Sequence, residues 1–229
     1  MIKITPEDMA KRVDQTNLHE EATEEEMQSF FEEAKKYQFV TVAILPNQIK
    51  LAKRVLKGSG VKIVAAIAFP LGSTSPELKA LETRRAVEDG ADEIDMVINN
   101  CALHSGQYDV VKKDIEGVVK AANGRPVKVI IEVSFLTPEL FEKACKIAME
   151  AKADFVKTST GFKRFSGWRP TTVEDVLEMK RIVGKKMKVK PAGGISTTEQ
   201  ALAMYVAGAD RIGASAGVKF IEDLKKASK

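Results

Sequence analysis

The sequence predicts an α/β chain folded as one (β/α)8 barrel, and three observations predict it. Short β-rich runs recur about every 22 to 35 residues, helical apolar spacing follows them, and no linker-like stretch or composition break divides the chain. The length of 229 residues suits one large core and one barrel, so residues 1–229 are expected to form a single domain.

Taken in order, the chain opens with Thr5-Pro6, a helix start in which the hydroxyl accepts from a free amide and proline sits where its missing donor does no harm. This reads as a short N-terminal helical extension. The first and least obvious strand covers residues 12–18, and Thr23 with Glu24, Glu25 and Glu26 then starts a helix whose acids complement its positive end. Strands follow at 39–45 and 62–69, with Ser75-Pro76 opening the next helix. Further strands are expected at 92–99 and 127–135, after which Thr137-Pro138 leads into the helical spacing of Leu140, Ala144 and Ala148. The last three runs, 154–160, 188–192 and 211–215, alternate with helix starts at Thr172 and Thr197. A doubly wound open sheet is the competing architecture, but it usually carries a glycine fingerprint after its first strand, and none stands there. Eight strand–helix units favour the closed form, the TIM barrel.

A content of 44% hydrophobic and 30% charged residues describes a soluble globular protein, and a net charge of only +4, spread along the chain, gives no reason to expect a nucleic-acid partner. Cys101 and Cys145 have neither a pairing pattern nor metal-ligand spacing, which fits a reducing compartment. The first residues lack the apolar stretch of a signal peptide, and no run approaches the roughly 18 residues of a membrane span. A cytoplasmic protein without a membrane partner is expected. His19 and His104 lack a companion metal-binding pattern, so no metal is expected either.

The residues with most chemical content are two lysines in strand runs. Lys157 lies in Asp154-Phe155-Val156-Lys157-Thr158-Ser159-Thr160-Gly161, and Lys190 in Val189-Lys190-Pro191-Ala192-Gly193-Gly194. An ionised side chain there is costly unless it is paired or its chemistry needs a low-dielectric setting. Side chains alternate along a strand, so Phe155, Lys157 and Ser159 share one face and Val156 and Thr158 the other; with helices on the second face, Lys157 points inward. The same parity turns Asp95 inward, away from Ile94 and Met96, and Asp14 also falls late in its strand. Catalytic groups of such barrels gather at the carboxyl ends of the strands, where all four lie. An amine desolvated beside another cation becomes a nucleophile, which makes Lys157, Lys190 and Asp95 the candidate catalytic set. The competing reading is structural: both lysines salt-bridged to Asp95 and Asp14 in a filled barrel. Asp14, Thr16 and Thr158, together with Gly161, Gly193, Gly194, Gly213 and Ser215, are candidate substrate contacts, since glycine loops let backbone amides approach an anion such as phosphate. Glu132 could orient a polar centre or balance a lysine.

These same segments, with Asp92-Glu93-Ile94-Asp95-Met96-Val97-Ile98-Asn99, Phe69-Pro70-Leu71-Gly72 and Arg211-Ile212-Gly213-Ala214-Ser215, closely resemble the deoxyribose-phosphate aldolase family from about Asp14 to Lys219. The resemblance implies a class I aldolase, free of metal and cofactor, that reversibly joins acetaldehyde and glyceraldehyde 3-phosphate into 2-deoxyribose 5-phosphate. It also implies that Lys157 forms the Schiff base, while Asp95 and Lys190 transfer protons and tune the nucleophile. The implied partners are a sugar phosphate and small aldehydes, and a homo-oligomer is expected because symmetric assemblies are common. Another Schiff-base aldolase or transaldolase, or a non-catalytic sugar-phosphate-binding barrel, stands as the alternative. Three departures from the family pattern matter. Ala216 stands where many relatives have a second serine, the loop 162–170 is longer and more basic, and no C-terminal tyrosine is present. Lys163, Arg164 and Arg169 are the candidates to supply the missing phosphate contact.

Overall fold

The computed structural model describes residues 4–162 and 167–227. Its strands are β1 (Val13–Asn17), β2 (Thr41–Ile44), β3 (Lys62–Ile67), β4 (Glu93–Val97), β5 (Val127–Ile130), β6 (Phe155–Lys157), β7 (Lys188–Lys190) and β8 (Ile212–Ala214). Each pairs in parallel with the next from β1 to β7, and β1 also pairs with β8. A single bridge between Ala192 and Gly213 spans the last gap, where the Gly213 amide donates to the Pro191 carbonyl at 2.9 Å. The result is the nearly closed (β/α)8 barrel that the periodicity implies.

Around it lie α1 (Pro6–Ala10), α2 (Glu24–Tyr37), α3 (Ile49–Val55), α4 (Pro76–Asp89), α5 (Asn100–His104), α6 (Tyr108–Ala121), α7 (Pro138–Glu150), α8 (Val173–Val183), α9 (Thr198–Val206) and α10 (Gly217–Ala227). The hydroxyls of Thr5, Ser75 and Thr137 each accept from the amide three residues on, while Thr23, Thr172 and Thr197 form full capping boxes. Helix α6 begins at Gln107 without a side-chain cap, so the capping signal that reveals its neighbours is missing. The α1 extension packs against α10.

Two cores result from strand alternation. Outward-facing Val42, Ile63, Ile94, Val129, Val156 and Val189 meet Phe31, Ile115, Ala144, Met179 and Phe220 of the helices in one continuous apolar layer. The inward faces carry Asp14, Glu93, Asp95, Lys128, Lys157 and Lys190, all buried. A further buried pair, Lys79 to Asp114 at 2.5 Å, ties α4 to α6, and the same amine donates to the Val97 carbonyl at the end of β4.

The strands are shorter than the apolar runs suggest. The run expected over 127–135 leaves the sheet after Ile130; Glu132 takes a left-handed conformation (φ 54, ψ 67), and Val133–Phe135 form a 3-10 turn. The Glu132 carboxylate compensates locally, accepting from the Thr160 amide (3.1 Å) and hydroxyl (2.5 Å). The run over 62–69 likewise ends at Ile67, and the Ala68 amide turns to Glu82 of α4 at 2.9 Å. In both cases an acidic side chain replaces the next ladder partner at the carboxyl rim.

Candidate active site

A linked cluster of ions lies on the barrel axis. Lys157 and Lys190 both donate to Oδ2 of Asp95, at 2.7 and 2.8 Å. Lys190 also makes an ion pair with Asp14, whose other oxygen lies 3.2 Å from Arg211 Nε. Lys128 approaches Oδ1 of Asp95 at 3.0 Å and Glu93 at 2.6 Å, and Glu93 receives Arg211 Nη2 at 3.0 Å. Strand register explains the gathering: Asp95 is level with Lys128, Lys157 with Lys190, and Asp14 with Gly213.

Lys157 is the member of this cluster that lines a cavity. It forms part of the wall of a cavity of about 530 Å³ together with Thr16, Gly161, Gly193, Gly194, Gly213 and Ser215. Only 3% of the residue is exposed. Burial, opposed by Asp95 and reinforced by Lys190 and Lys128, lowers its amine from the ordinary 10.5 to about 8. Asp95 behaves oppositely: although burial alone would raise it, the cations of Lys128, Lys157 and Lys190 hold its carboxyl well below the usual range. Asp14 is lowered as well, by Lys190, Lys128 and Arg211 acting against burial. The structure therefore presents a buried amine, paired with Asp95 and lowered by burial, at the inner end of an open cavity. Both lysines are salt-bridged as the structural reading has it, and Lys157 in addition lines the cavity.

Of the expected substrate contacts, Thr16, Gly161, Gly193, Gly194, Gly213 and Ser215 are in the cavity wall, whereas Asp14, the second residue of β1 and so early in its strand instead of late, lies beneath it under Lys190. Thr158 is placed behind the wall, not in it: its hydroxyl donates to the Ala192 carbonyl and accepts from the Ala192 amide, both at 2.9 Å, because its position in β6's alternation faces the helices. It steadies the Gly193–Gly194 turn from outside. Gln15 does the same for the Ser215 loop, donating to the Ser215 carbonyl and accepting from the Gly217 amide, each at 3.1 Å. Arg169 forks onto Asp175 at 2.6 and 2.7 Å and is not part of the wall. Lys163 and Arg164 lie outside the described residues. His19 borders the cavity mouth beside Glu21, at 3.5 Å.

The model for DeoC/LacD family aldolases matches residues 9–220. The chain belongs to that family. Among similar proteins, the deoxyribose-phosphate aldolase of Thermococcus gammatolerans is 54% identical over 96% of this chain and 98% of the relative. That of Streptococcus gordonii is 49% identical over 93% and 94%. A solved deoxyribose phosphate aldolase from Aeropyrum pernix, described as a tetramer, superposes with a TM-score of 0.88 at 33% identity, covering 97% of this chain and 93% of that one. The chain is thus an aldolase, a carbon–carbon lyase on a TIM barrel.

In this aldolase, sequence reasoning missed Lys128, Glu93 and Arg211, the lower half of the ion cluster. The available signal was parity: Glu93 is two residues before Asp95, and Arg211 two before Gly213. The β8 glycine has a steric reason. A Cβ on Gly213 would lie 2.9 Å from Ala192 Cβ and 3.1 Å from Lys190 Cε. Gly213→Ala is therefore expected to lower stability by about 1–3 kcal/mol, seen as a lower thermal midpoint, and to reduce kcat/KM by displacing Lys190.

Proposed function

We propose that the chain cleaves 2-deoxyribose 5-phosphate reversibly to acetaldehyde and glyceraldehyde 3-phosphate through an imine on Lys157. The neutral Lys157 amine adds to C1 of the open-chain sugar and water leaves, giving a protonated imine. The C3 hydroxyl then loses its proton and the C2–C3 bond breaks. Its electron pair moves into the imine, so that glyceraldehyde 3-phosphate departs and an enamine of acetaldehyde stays behind. Protonation of the enamine carbon and hydrolysis release acetaldehyde. The observation that carries this reading is the lowered Lys157 amine opening onto the cavity while touching Asp95.

Asp95 and Lys190 serve as the proton-transfer pair, with Asp14 holding Lys190 in place. Asp95, held anionic by Lys128, Lys157 and Lys190, orients the two amines that flank it for that transfer. The glycine loops around Gly193, Gly194, Gly213 and Ser215 take the phosphate, with backbone amides in place of the hydroxyl missing at Ala216. The whole chain acts as one catalytic unit in a homo-oligomer; the Aeropyrum tetramer and exposed Leu71, Leu78 and Leu81 support that assembly. Cytoplasmic placement is supported by the free thiols of Cys101 and Cys145. No helix among the described residues is long and apolar enough to cross a membrane.

The experiment is treatment with acetaldehyde and borohydride, followed by intact mass and peptide mapping. A gain of one ethyl group on Lys157 is expected; a label on another lysine, or none, rules the reading out. The trapping rate should rise with pH through about 8 and then level off. Stability follows the same group. The folded Lys157 value lies below the ordinary one, so between about pH 8 and 10.5 the unfolded chain binds more protons and stability rises with pH. At the acid end, the depressed Asp14 and Asp95 stabilise the fold above their ordinary 3.8, and this is lost as pH falls through their folded values. Urea midpoints across a pH series check both signs.

A further inference from the structure

We propose that Lys128 is a positioning residue that helps to set how readily Lys157 gives up its proton, acting through the net charge of the buried ion cluster without touching substrate. The inference rests on Lys157 being the imine-forming amine.

The argument begins with a charge count. Four cations, Lys128, Lys157, Lys190 and Arg211, are joined by ion-pair contacts to three anions, Asp14, Glu93 and Asp95. In a buried volume one positive charge is in excess, and the cheapest relief is loss of a proton from the least-held cation. Arg211 does not deprotonate. Lys128 lies among three carboxylates, Glu93 at 2.6 Å, Asp95 at 3.0 Å and Asp14 at 3.8 Å. Lys190 has two, Asp14 and Asp95. Lys157 has one, Asp95, and faces the cavity. The excess proton therefore leaves from Lys157.

Lys128 acts on that balance in two ways. Its own charge repels a proton on Lys157, and by engaging Oδ1 of Asp95 it weakens the carboxylate that would otherwise hold Lys157 charged. The remaining groups around Lys157 do not substitute for it. Glu132, just past β5, feels the Lys157 cation, but its Oε2 is committed to Thr160 and burial raises it. Lys188 of β7 stands over the Phe155 ring at 5.3 Å, and that ring has Lys128 at 5.6 Å. On the outer side of β6, burial pushes the Cys145 thiol of α7 up to about 12, leaving it uncharged.

The test measures borohydride trapping by acetaldehyde and kcat/KM for deoxyribose 5-phosphate cleavage from about pH 6 to about pH 10. Wild-type protein, Lys128→Met, Glu93→Gln and the double variant are compared. Removing the cation should raise the midpoint by about one pH unit, with activity about tenfold lower below it and recovered above it. Glu93→Gln enlarges the excess positive charge and should move the midpoint down. The double variant restores an excess of one and should return to the wild-type profile, a compensation that a purely structural role would not produce. Unshifted midpoints in the single variants, or a double variant additive in loss at every pH, overturn the proposal. If Lys128→Met does not fold, Glu93→Gln decides alone, an unchanged midpoint counting against the proposal. Failure of wild-type protein to trap at Lys157 would instead remove the underlying reading, and it is seen before any variant is made.

Discussion

Lys157→Leu is expected to abolish imine trapping and to lower cleavage of deoxyribose 5-phosphate by on the order of 10⁴-fold or more, since the covalent route disappears with the amine. The barrel should remain folded. Leucine keeps the inner apolar part of the lysine stem, and the ion cluster loses the cation it holds in excess. Asp95 retains Lys190 at 2.8 Å and Lys128 at 3.0 Å, so no buried carboxylate is left unpaired. Intact mass after borohydride, together with thermal unfolding of the same sample, separates loss of the nucleophile from loss of the fold. A variant that still acquires the label would transfer the imine to another lysine.

Asp95→Asn should have the opposite profile. It leaves Lys128, Lys157 and Lys190 around a carboxamide and removes one of three anions facing four cations. Breaking a buried ion cluster in this way is expected to lower stability by about 3–5 kcal/mol, which for a chain of this size means a thermal midpoint lower by roughly 6–20 °C. Turnover should fall by about 10²–10⁴-fold as the proton relay is lost. Labelling of Lys157 should nevertheless persist, because without the Asp95 charge its amine is more readily neutral. Undiminished turnover in a folded Asp95→Asn variant would show that Asp95 takes no part in moving protons.

The sequence made the upper half of the site legible because its signals were violations. Lys157, Lys190 and Asp95 interrupt apolar runs, and alternation then puts them on the inward face. The glycine pairs at the ends of the last strands were legible for a related reason, since loops there need close backbone approach. Lys128 interrupts its run between Val127 and Val129 in the same way, but both parities of 127–131 are otherwise apolar, so the violation alone did not show which way it points. Only its register with Asp95 reveals that it faces the axis. Thr158 shows the same limit from the other side, since a polar residue beside Lys157 looked like a substrate contact and is instead a clasp on Ala192. Strand ends were overrun at Glu132 and Ala68 because the carboxylates that finish those strands come from a residue in the wrong conformation or from a distant helix, neither of which local composition encodes.

An axis that carries linked charges among its hydrocarbon has a consequence for heat. Hydration of ions carries a strongly negative entropy, so the free energy given up in withdrawing them from water shrinks as temperature rises, while apolar burial per unit area reaches a plateau. The linked carboxylates and amines along the middle of this cylinder are thus a filling whose relative disadvantage fades on warming.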